Sequence, residues 1–269
     1  MDTKRILFIT SEITPYLPET EISHISRYLP QGIQDKGKEI RTFMPKFGNI
    51  NERRNQLHEV IRLSGMNLII NDTDHPLIIK VASIQSARMQ IYFIDNEDFF
   101  QRKYTLTDDD GKEFEDNDER SIFYIRGVME TVKKLRWVPD LIHCHGWMTS
   151  PAPIYIKKHY ADDPCFKNSK VVYSVYNDDF KTPFNEDFKE KMIISGISEE
   201  DVQSIREKAD FESVSKLAID FSDGVIQGSE SVNTAVMEYA KGKNIPVLPF
   251  HSKETYIDAF NDFYDQLLA

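Results

Sequence analysis

The residues best suited to chemistry in this chain are two histidines that flank a cysteine, His143, Cys144 and His145. Because side chains alternate between the two faces of a β-strand, both imidazoles would lie on the same face of a sheet, where they could bind one metal ion. Two ligands do not make a tetrahedral site, and neither a further cysteine nor a carboxylate stands at a spacing that completes it, so we predict no metal. His145 falls at the carboxyl end of a strand, where open α/β sheets bind ligands, although a hydrogen bond to neighbouring backbone would explain it equally well.

A second chemical possibility is a calcium loop in the acidic segment TDDDGKEFEDNDE. Asp108, Asp110 and Gly111 match the third, fifth and sixth positions of an EF-hand loop. The frame fails at both ends, because Leu106 stands at its first position and Asn117 stands where a bidentate glutamate is required. We therefore interpret the segment as a solvated loop.

The stretch SEITPYLPETEISHISRYLP raises a third question, because it follows a short apolar run, KRILFIT, that is typical of a buried parallel strand. In nucleotide-binding α/β proteins this first turn is rich in glycine and holds phosphate. Here the turn contains no glycine, and neither the pattern GxGxxG nor a P-loop pattern occurs anywhere in the chain. The sequence therefore predicts no phosphate-binding loop and no cofactor.

The composition narrows the class of partner. The 269 residues carry a formal net charge of -11, from 33 basic and 44 acidic side chains, which disfavours nucleic acid and anionic membranes. The two cysteines, Cys144 and Cys165, form neither a disulfide framework nor a zinc pattern, and the start of the chain does not resemble a signal peptide. No apolar stretch approaches the ~20 residues of a membrane span. We expect a cytoplasmic protein that contacts neither membrane nor nucleic acid.

The elements that must position these residues alternate between strand and helix. Apolar runs predict strands at 5–10, 39–45, 140–145, 170–175, 224–226 and 245–250. Helical periodicity predicts helices at 21–36, 120–134, 149–159, 211–219, 232–239 and 253–267. Short apolar segments between 55 and 94 indicate a strand-rich insertion, and the charged segment 178–210 is predicted to be largely helical. The pattern indicates one α/β domain with a single Rossmann-like, doubly wound parallel sheet.

Three longer segments, taken together, carry a resemblance to a family: SEITPYLPETEISHISRYLP, YFIDNEDFFQRKYTLTDDDGKEFEDNDERSIFYIRGVME and WVPDLIHCHGWMTSPAPIYIK. In order and spacing they are similar to the N-terminal half of the bacterial glycogen and starch synthases, glycosyltransferase family 5, over residues 1 to about 240. The middle segment is the most specific, through Phe99, Phe100, Arg102, Asp116, Asn117, Glu119 and Arg120. The resemblance implies one half of a GT-B glycosyltransferase, in which two Rossmann-like domains transfer glucose from ADP-glucose to an α-1,4-glucan.

The resemblance also implies a missing part. In the family a C-terminal domain binds most of the nucleotide and supplies an arginine, a lysine and a carboxylate, and this chain has no room for such a domain before Ala269. The final segment TYIDAFNDFYDQLL is similar to the family's closing helix, although an ordinary amphipathic helix would show the same pattern. We expect residues 1–250 to form the N-terminal-like Rossmann domain, and residues 251–269 a helix that packs back on it.

The family's first turn, Lys-Thr-Gly-Gly-Leu-x-Asp, can be followed residue by residue. Aligned without a gap, this chain has Pro18 at the lysine, Glu19 at the threonine, Thr20 and Glu21 at the two glycines, and His24 at the aspartate. Proline offers no positive charge to a diphosphate, side chains replace bare backbone, and carboxylates repel phosphate. The phosphate end of the family's site is therefore predicted to be lost.

Two later motifs have also changed. The family's His-Asp-Trp reads His145, Gly146 and Trp147, so the resemblance implies the loss of an aspartate that contacts sugar. Its His-Asn reads Tyr176 and Asn177, so a histidine that helps to stabilise the transferred glucose is replaced. The residues retained at the expected cleft are Glu12, His145, Trp147 and Asn177.

These changes predict a glycogen/starch synthase-like protein without catalytic residues of its own, which is not expected to transfer glucose alone. Three alternatives stay open. The chain is a non-catalytic α-glucan-binding or regulatory protein, one half of a split glycosyltransferase completed by a partner chain, or a homodimer that covers the face of the missing domain. The ligand expected, if one is bound, is an α-glucan or a sugar nucleotide.

Overall fold

The computed structural model describes residues 3–205 and 208–269 and consists of a mixed sheet flanked by helices. The strands are β1 Arg5–Ile9, β2 Glu39–Pro45, β3 His58–Glu59, β4 Met66–Ile70, β5 Thr73–Ile84, β6 Met89–Asp95, β7 Leu141–His145, β8 Lys170–Val175, β9 Gly224–Gln227 and β10 Val247–Leu248. The helices are α1 Glu21–Asp35, α2 Glu97–Phe100, α3 Asn117–Leu135, α4 Pro151–Ile154, α5 Phe188–Met192, α6 Phe211–Asp220, α7 Thr234–Gly242 and α8 Tyr256–Leu268. A π-helical turn, Tyr155–His159, continues α4.

The sheet has the order β10-β9-β8-β7-β1-β2-β6-β5-β3, with β4 paired to β5. The pairs from β10 through β1 to β6 are parallel, whereas β5 pairs antiparallel with β6, β3 and β4. The prediction of a Rossmann-like α/β domain is confirmed, and the strand-rich insertion is the antiparallel part formed by β3 to β6.

The first strand and helix follow directly from local sequence. In β1 the side chains of Ile6, Leu7, Phe8 and Ile9 are all at most 1% exposed, as expected for a strand that is covered on both faces. Helix α1 begins at Thr20, where the Thr20 hydroxyl accepts the backbone N–H of Ser23 and the Ser23 hydroxyl accepts that of Thr20, which is a reciprocal cap.

The core lies in two layers, one on each face of the sheet. On one face, Ile6 and Phe8 of β1 pack with the apolar stripe of α1 and with Phe260 of α8. On the other face, Leu7 and Ile9 belong to the larger cluster that includes the apolar residues of α3, α4 and α6. Helix α8 therefore shares a layer with α1, and the division of the chain at residue 250 stays a prediction.

The prediction of a largely helical segment at 178–210 is wrong, because α5 is the one regular helix in its described part. Aromatic packing organises this segment instead: the rings of Phe180 and Phe184 stack at 4.5 Å, and both meet the Trp147 ring edge-on. The predicted strand at 245–250 shortens to β10, and the predicted helix at 149–159 is regular only as far as Ile154. Within the described residues, every helix lacks the length or the apolar character needed to cross a membrane.

Candidate functional site

The candidate site lies at the carboxyl ends of β1, β7, β8 and β9, which are neighbouring parallel strands; we call this region the carboxyl edge. After β1 the chain moves to β2 on one side, whereas β7 continues to β8 on the other side, so the turns after β1 and β7 stand at the switch point of the sheet. The predicted residues of the first turn, of His145–Trp147 and of Tyr176–Asn177 all fall at these strand ends. The architecture therefore brings them to one edge, while their roles stay predictions.

The first turn is tied together by side chains. The Thr20 hydroxyl donates a hydrogen bond to the Glu12 carboxylate and also caps α1. Burial raises the pKa of Glu12, and the hydrogen bond from Thr20 partly opposes that shift. The Thr20 side chain thus fastens the first turn to the end of β1.

The remaining side chains of the turn point to other partners. Glu19 Oε1 lies 3.2 Å from His24 Nδ1, and the exposed Pro18 precedes them. Glu21 accepts a hydrogen bond from the Ser229 hydroxyl. These two carboxylates stand around the N-terminus of α1, where the helix dipole would otherwise favour an anion.

Ser229 connects the first turn to the end of β8. Its hydroxyl oxygen accepts a hydrogen bond from the backbone N–H of Asn177 at 3.0 Å, and the same hydroxyl donates a hydrogen bond to the Glu21 carboxylate. The Asn177 side chain itself is exposed. The sequence analysis did not single out Ser229, because its contacts join segments that are distant in the chain.

The ends of β7 and β8 are closed by a buried pair, His145 and Tyr176. The His145 Nδ1 and the Tyr176 hydroxyl are 2.7 Å apart, and the two rings stack with centroids at 5.9 Å. Both side chains are at most 1% exposed, and a β-carbon at Gly228 would clash with the Tyr176 ring. Burial lowers the pKa of His145 to about 3, so its ring is neutral. Tyr176 therefore acts here as a core residue.

The most informative contact at the carboxyl edge joins Gly146 and Asp178. A β-carbon placed on Gly146 would collide with Asp178 Oδ2, and the backbone φ of Gly146 is +75°, a conformation that favours glycine. Asp178 Oδ2 accepts the backbone N–H of Trp147 at 3.1 Å. A carboxylate from the end of β8 therefore occupies the space that a side chain at position 146 would take.

The environment of Asp178 is unusual for a carboxylate. Its Oδ1 is buried and has no hydrogen-bond partner in the part of the chain that the structure describes. Burial, with smaller contributions from the charges of Asp179 and Glu12, raises the pKa of Asp178 to about 7. Sequence reasoning missed Asp178, because its overlap with position 146 depends on the pairing of β7 with β8.

Trp147 and the family-specific middle segment serve the scaffold. Trp147 is 5% exposed and packs against Phe180 and Phe184, so its ring is not available for stacking on a sugar. Arg120 is fully buried and donates to the Phe99 carbonyl at 2.7 Å and to Asn117 Oδ1 at 2.6 Å. The residues that carried the resemblance most specifically thus hold the loop before α3.

The two histidines of β7 have protein partners. His143 Nδ1 lies 2.6 Å from the Tyr264 hydroxyl, and its Nε2 lies 2.6 Å from Ser174 Oγ. Across residues 3–205 and 208–269, no three His, Cys, Asp or Glu side chains come together in an arrangement that could hold a metal ion.

This fold has the architecture of one Rossmann-like half of a GT-B protein. Residues 5–246 match the family described as the starch synthase catalytic domain, and the chain belongs to that family. Among relatives, a glycogen synthase from Chlorobium limicola is 36% identical over 174 residues, and one from Pelodictyon phaeoclathratiforme is 33% identical over the same length. Each match covers 64% of this chain and 36% of the relative, so the chain spans about a third of the relatives it matches.

A solved structure supports the fold. The catalytic domain of starch synthase IV from Arabidopsis thaliana, bound to ADP and acarbose, superposes with a TM-score of 0.71 at 16% identity. The superposition covers 95% of this chain and 53% of that chain. At this identity the likeness shows the fold, and the ligands of the plant enzyme are properties of that enzyme.

Proposed function

We propose that this chain is a starch synthase-family domain that does not itself transfer glucose from ADP-glucose and that recognises α-glucan without reacting with it. The observation that carries the absence of transfer is the first turn, where Glu19 and Glu21 flank the N-terminus of α1 and Pro18 stands at the position predicted for a cation. A diphosphate brought to this turn would meet two negative charges and no bare backbone. Transfer needs the opposite, since the leaving diphosphate must be stabilised. Membership of the starch synthase family supports the recognition of α-glucan.

The strand ends support the same proposal. His145 and Tyr176 are joined by a buried hydrogen bond and are at most 1% exposed, so neither ring is presented to a substrate. The carboxyl group of Asp178 accepts a backbone N–H of the adjacent turn and is held near its point of titration at neutral pH. Because its Oδ1 is buried and its Oδ2 accepts the Trp147 N–H, this carboxyl group is not presented to a substrate either.

The catalytic half of the proposal is tested by incubating the purified chain with radiolabelled ADP-glucose and glycogen. We expect no incorporation of label above a blank without protein. An active glycogen synthase of the same family, purified in the same way, controls for the assay. Chain elongation by this protein alone would overturn the proposal.

The recognition half is tested by native gel electrophoresis with and without glycogen in the gel. We expect the chain to migrate more slowly when glycogen is present, relative to a non-binding acidic protein of similar size run in the same lanes. Equal migration in both gels would remove α-glucan recognition from the proposal and leave only the absence of transfer.

A further inference from the structure

One strand of the sheet, β4, has an open side. It pairs antiparallel with β5, and no other strand in the described part of the chain pairs with it. Asn67 lies opposite Pro76, which has no N–H, so the hydrogen-bonded pairs of this ladder are at the positions on either side of Asn67. The backbone N–H and C=O groups of Asn67 and Ile69 therefore point away from β5; we call this free side of residues 66–70 the β4 edge.

The β4 edge lacks the features that usually protect an exposed strand. Its sequence, MNLII, contains no charged residue and no proline. Ile69 is 58% exposed on the solvent face of the strand, whereas Leu68 and Ile70 are buried on the other face. One polar contact covers part of the edge, because the Arg126 guanidinium of α3 donates to the Ile69 carbonyl. A carbonyl can accept two hydrogen bonds, so that oxygen is still able to pair with another strand.

The two ends of the β4 edge carry opposite charges. Arg62 is exposed in the turn that leads into β4, and Asp72 and Asp74 are exposed where the chain turns back into β5. Asp74 lies opposite Ile69 in the ladder and so shares its face of the sheet. Within residues 3–205 and 208–269, neither Arg62 nor Asp74 takes part in an ion pair.

This distribution of charge favours a second copy of the chain as the partner. An antiparallel arrangement about a two-fold axis sets the arginine end of each copy against the aspartate end of the other, so both end contacts are attractive. A parallel arrangement would set like charges together at both ends.

We propose that the β4 edge joins two copies of this chain into an antiparallel dimer whose two-fold axis passes beside Leu68. Asn67 of one copy then lies opposite Ile69 of the other, and their free backbone groups pair across the axis. The two Ile69 side chains become diagonal neighbours on one face, which removes exposed apolar surface from water. Because both copies use the same edge, the assembly closes at two and does not grow.

Sedimentation equilibrium of the full chain tests the dimer. Five residues of strand with their flanking turns bury less area than a standard interface, so we expect a weak, reversible dimer that forms between about 5 and 500 μM. Ile69→Lys should weaken the dimer at least about 10-fold, because it places a charge on the pairing strand. Val138→Lys changes another exposed apolar residue, in the loop before β7, and should dimerise as the parent chain does. A parent chain that stays monomeric throughout would overturn the proposal.

A charge exchange tests whether the two ends meet. Arg62→Glu sets two acidic ends together, and Asp74→Arg sets two basic ends together, so each variant alone should dimerise about 3- to 10-fold more weakly than the parent chain. In an equimolar mixture the two variants are complementary at both contacts, and heterodimers should form as readily as parent dimers. A mixture that associates no better than the separate variants would contradict the antiparallel arrangement and overturn the proposal.

Residue-resolved hydrogen exchange tests whether the dimer uses this edge. The N–H groups of Asn67 and Ile69 should exchange more slowly at the high end of the concentration range than at the low end. The N–H of Leu68 already donates to β5 and should change little, so it is an internal control. A dimer without this protection would lie on another face, such as the carboxyl edge, and would overturn the proposal. None of these outcomes depends on glycogen, so the proposed function can fail or hold independently.

Discussion

His143 and Tyr264 are joined by a hydrogen bond of 2.6 Å between the imidazole Nδ1 and the phenol hydroxyl, although 121 residues separate them in sequence. Both side chains are fully buried, and the second nitrogen of His143 lies 2.6 Å from Ser174 Oγ. This bond fastens α8 to the centre of the sheet, next to the buried pair of His145 and Tyr176. The C-terminal helix is therefore held by a polar contact as well as by its apolar face.

Tyr264→Phe tests that contact. The substitution keeps the ring but leaves the buried Nδ1 of His143 without its partner, which typically costs about 1–3 kcal/mol. For a chain of this size we expect the melting temperature to fall by roughly 2–10 °C. Tyr104→Phe, which changes a partly exposed tyrosine, is the control and should leave the melting temperature unchanged. Equal stability of the two variants would show that the contact contributes nothing.

The pH dependence of unfolding tests the neutral state of His145. Burial holds the folded-state pKa of His145 at about 3, whereas an unfolded histidine titrates near ~6.5. Between these values the unfolded chain binds a proton that the folded chain does not, so stability falls as the pH is lowered from about 6.5.

His145→Gln removes the group that binds this proton in the unfolded chain, and its amide still offers a polar atom to Tyr176. In urea unfolding at pH 6, 5 and 4, the parent chain should lose about 1.4 kcal/mol more per pH unit than the variant. Parallel stability curves for the two proteins would contradict a buried neutral histidine.

Asp178→Asn should change stability with the opposite dependence on pH. The folded-state pKa of Asp178 is raised to about 7, mainly by burial, whereas an unfolded aspartate titrates near ~3.9. As the pH rises from about 4 to 7 the unfolded chain releases a proton that the folded chain retains, so the parent chain loses stability over that window.

Asparagine stays neutral and can still accept the N–H of Trp147, so the variant should escape this loss. We expect its melting temperature to exceed that of the parent chain at pH 8 by at least about 3 °C, and to match it at pH 4. Asp162→Asn, at an exposed aspartate in a different part of the chain, is the control, and an equal gain in that variant would argue for a general charge effect.

The overlap of Gly146 and Asp178 is tested by a double-mutant cycle. Gly146→Asp should destabilise the chain strongly, because its side chain meets Asp178 Oδ2 and its backbone has a positive φ. In the background of Asp178→Ala the collision is absent and only the backbone strain remains, so the same substitution should cost less. Chemical unfolding of the four proteins measures the coupling, and additive losses would show that the two positions do not share space.

The sequence predicts those parts of the fold that depend on local signals. The apolar run of β1 and the periodicity of α1 are unambiguous, and Thr20 and Ser23 mark the start of the helix. The segment 178–210 has a composition that favours helix, yet its conformation depends on contacts that only the folded chain provides. Lys191, for example, lies 3.0 Å from Asp118 and 2.9 Å from Glu119, at the start of α3.

The candidate site, too, could be predicted only where local sequence was sufficient. Comparison with the family's motifs, position by position, predicts that Gly146 and Tyr176 replace an aspartate and a histidine. It does not reveal that Asp178 overlaps position 146, since that requires the register in which His145 of β7 lies beside Ser174 of β8.

The contact between Gly146 and Asp178 also restricts the order in which this site can change. An aspartate restored at position 146 meets an oxygen that already occupies its volume, so that single step is unfavourable until position 178 has changed. A change at position 178 made first removes the acceptor of the Trp147 N–H and leaves the edge without either carboxylate. The two changes are therefore ordered: in any attempt to rebuild an aspartate at position 146, position 178 has to change first or at the same time.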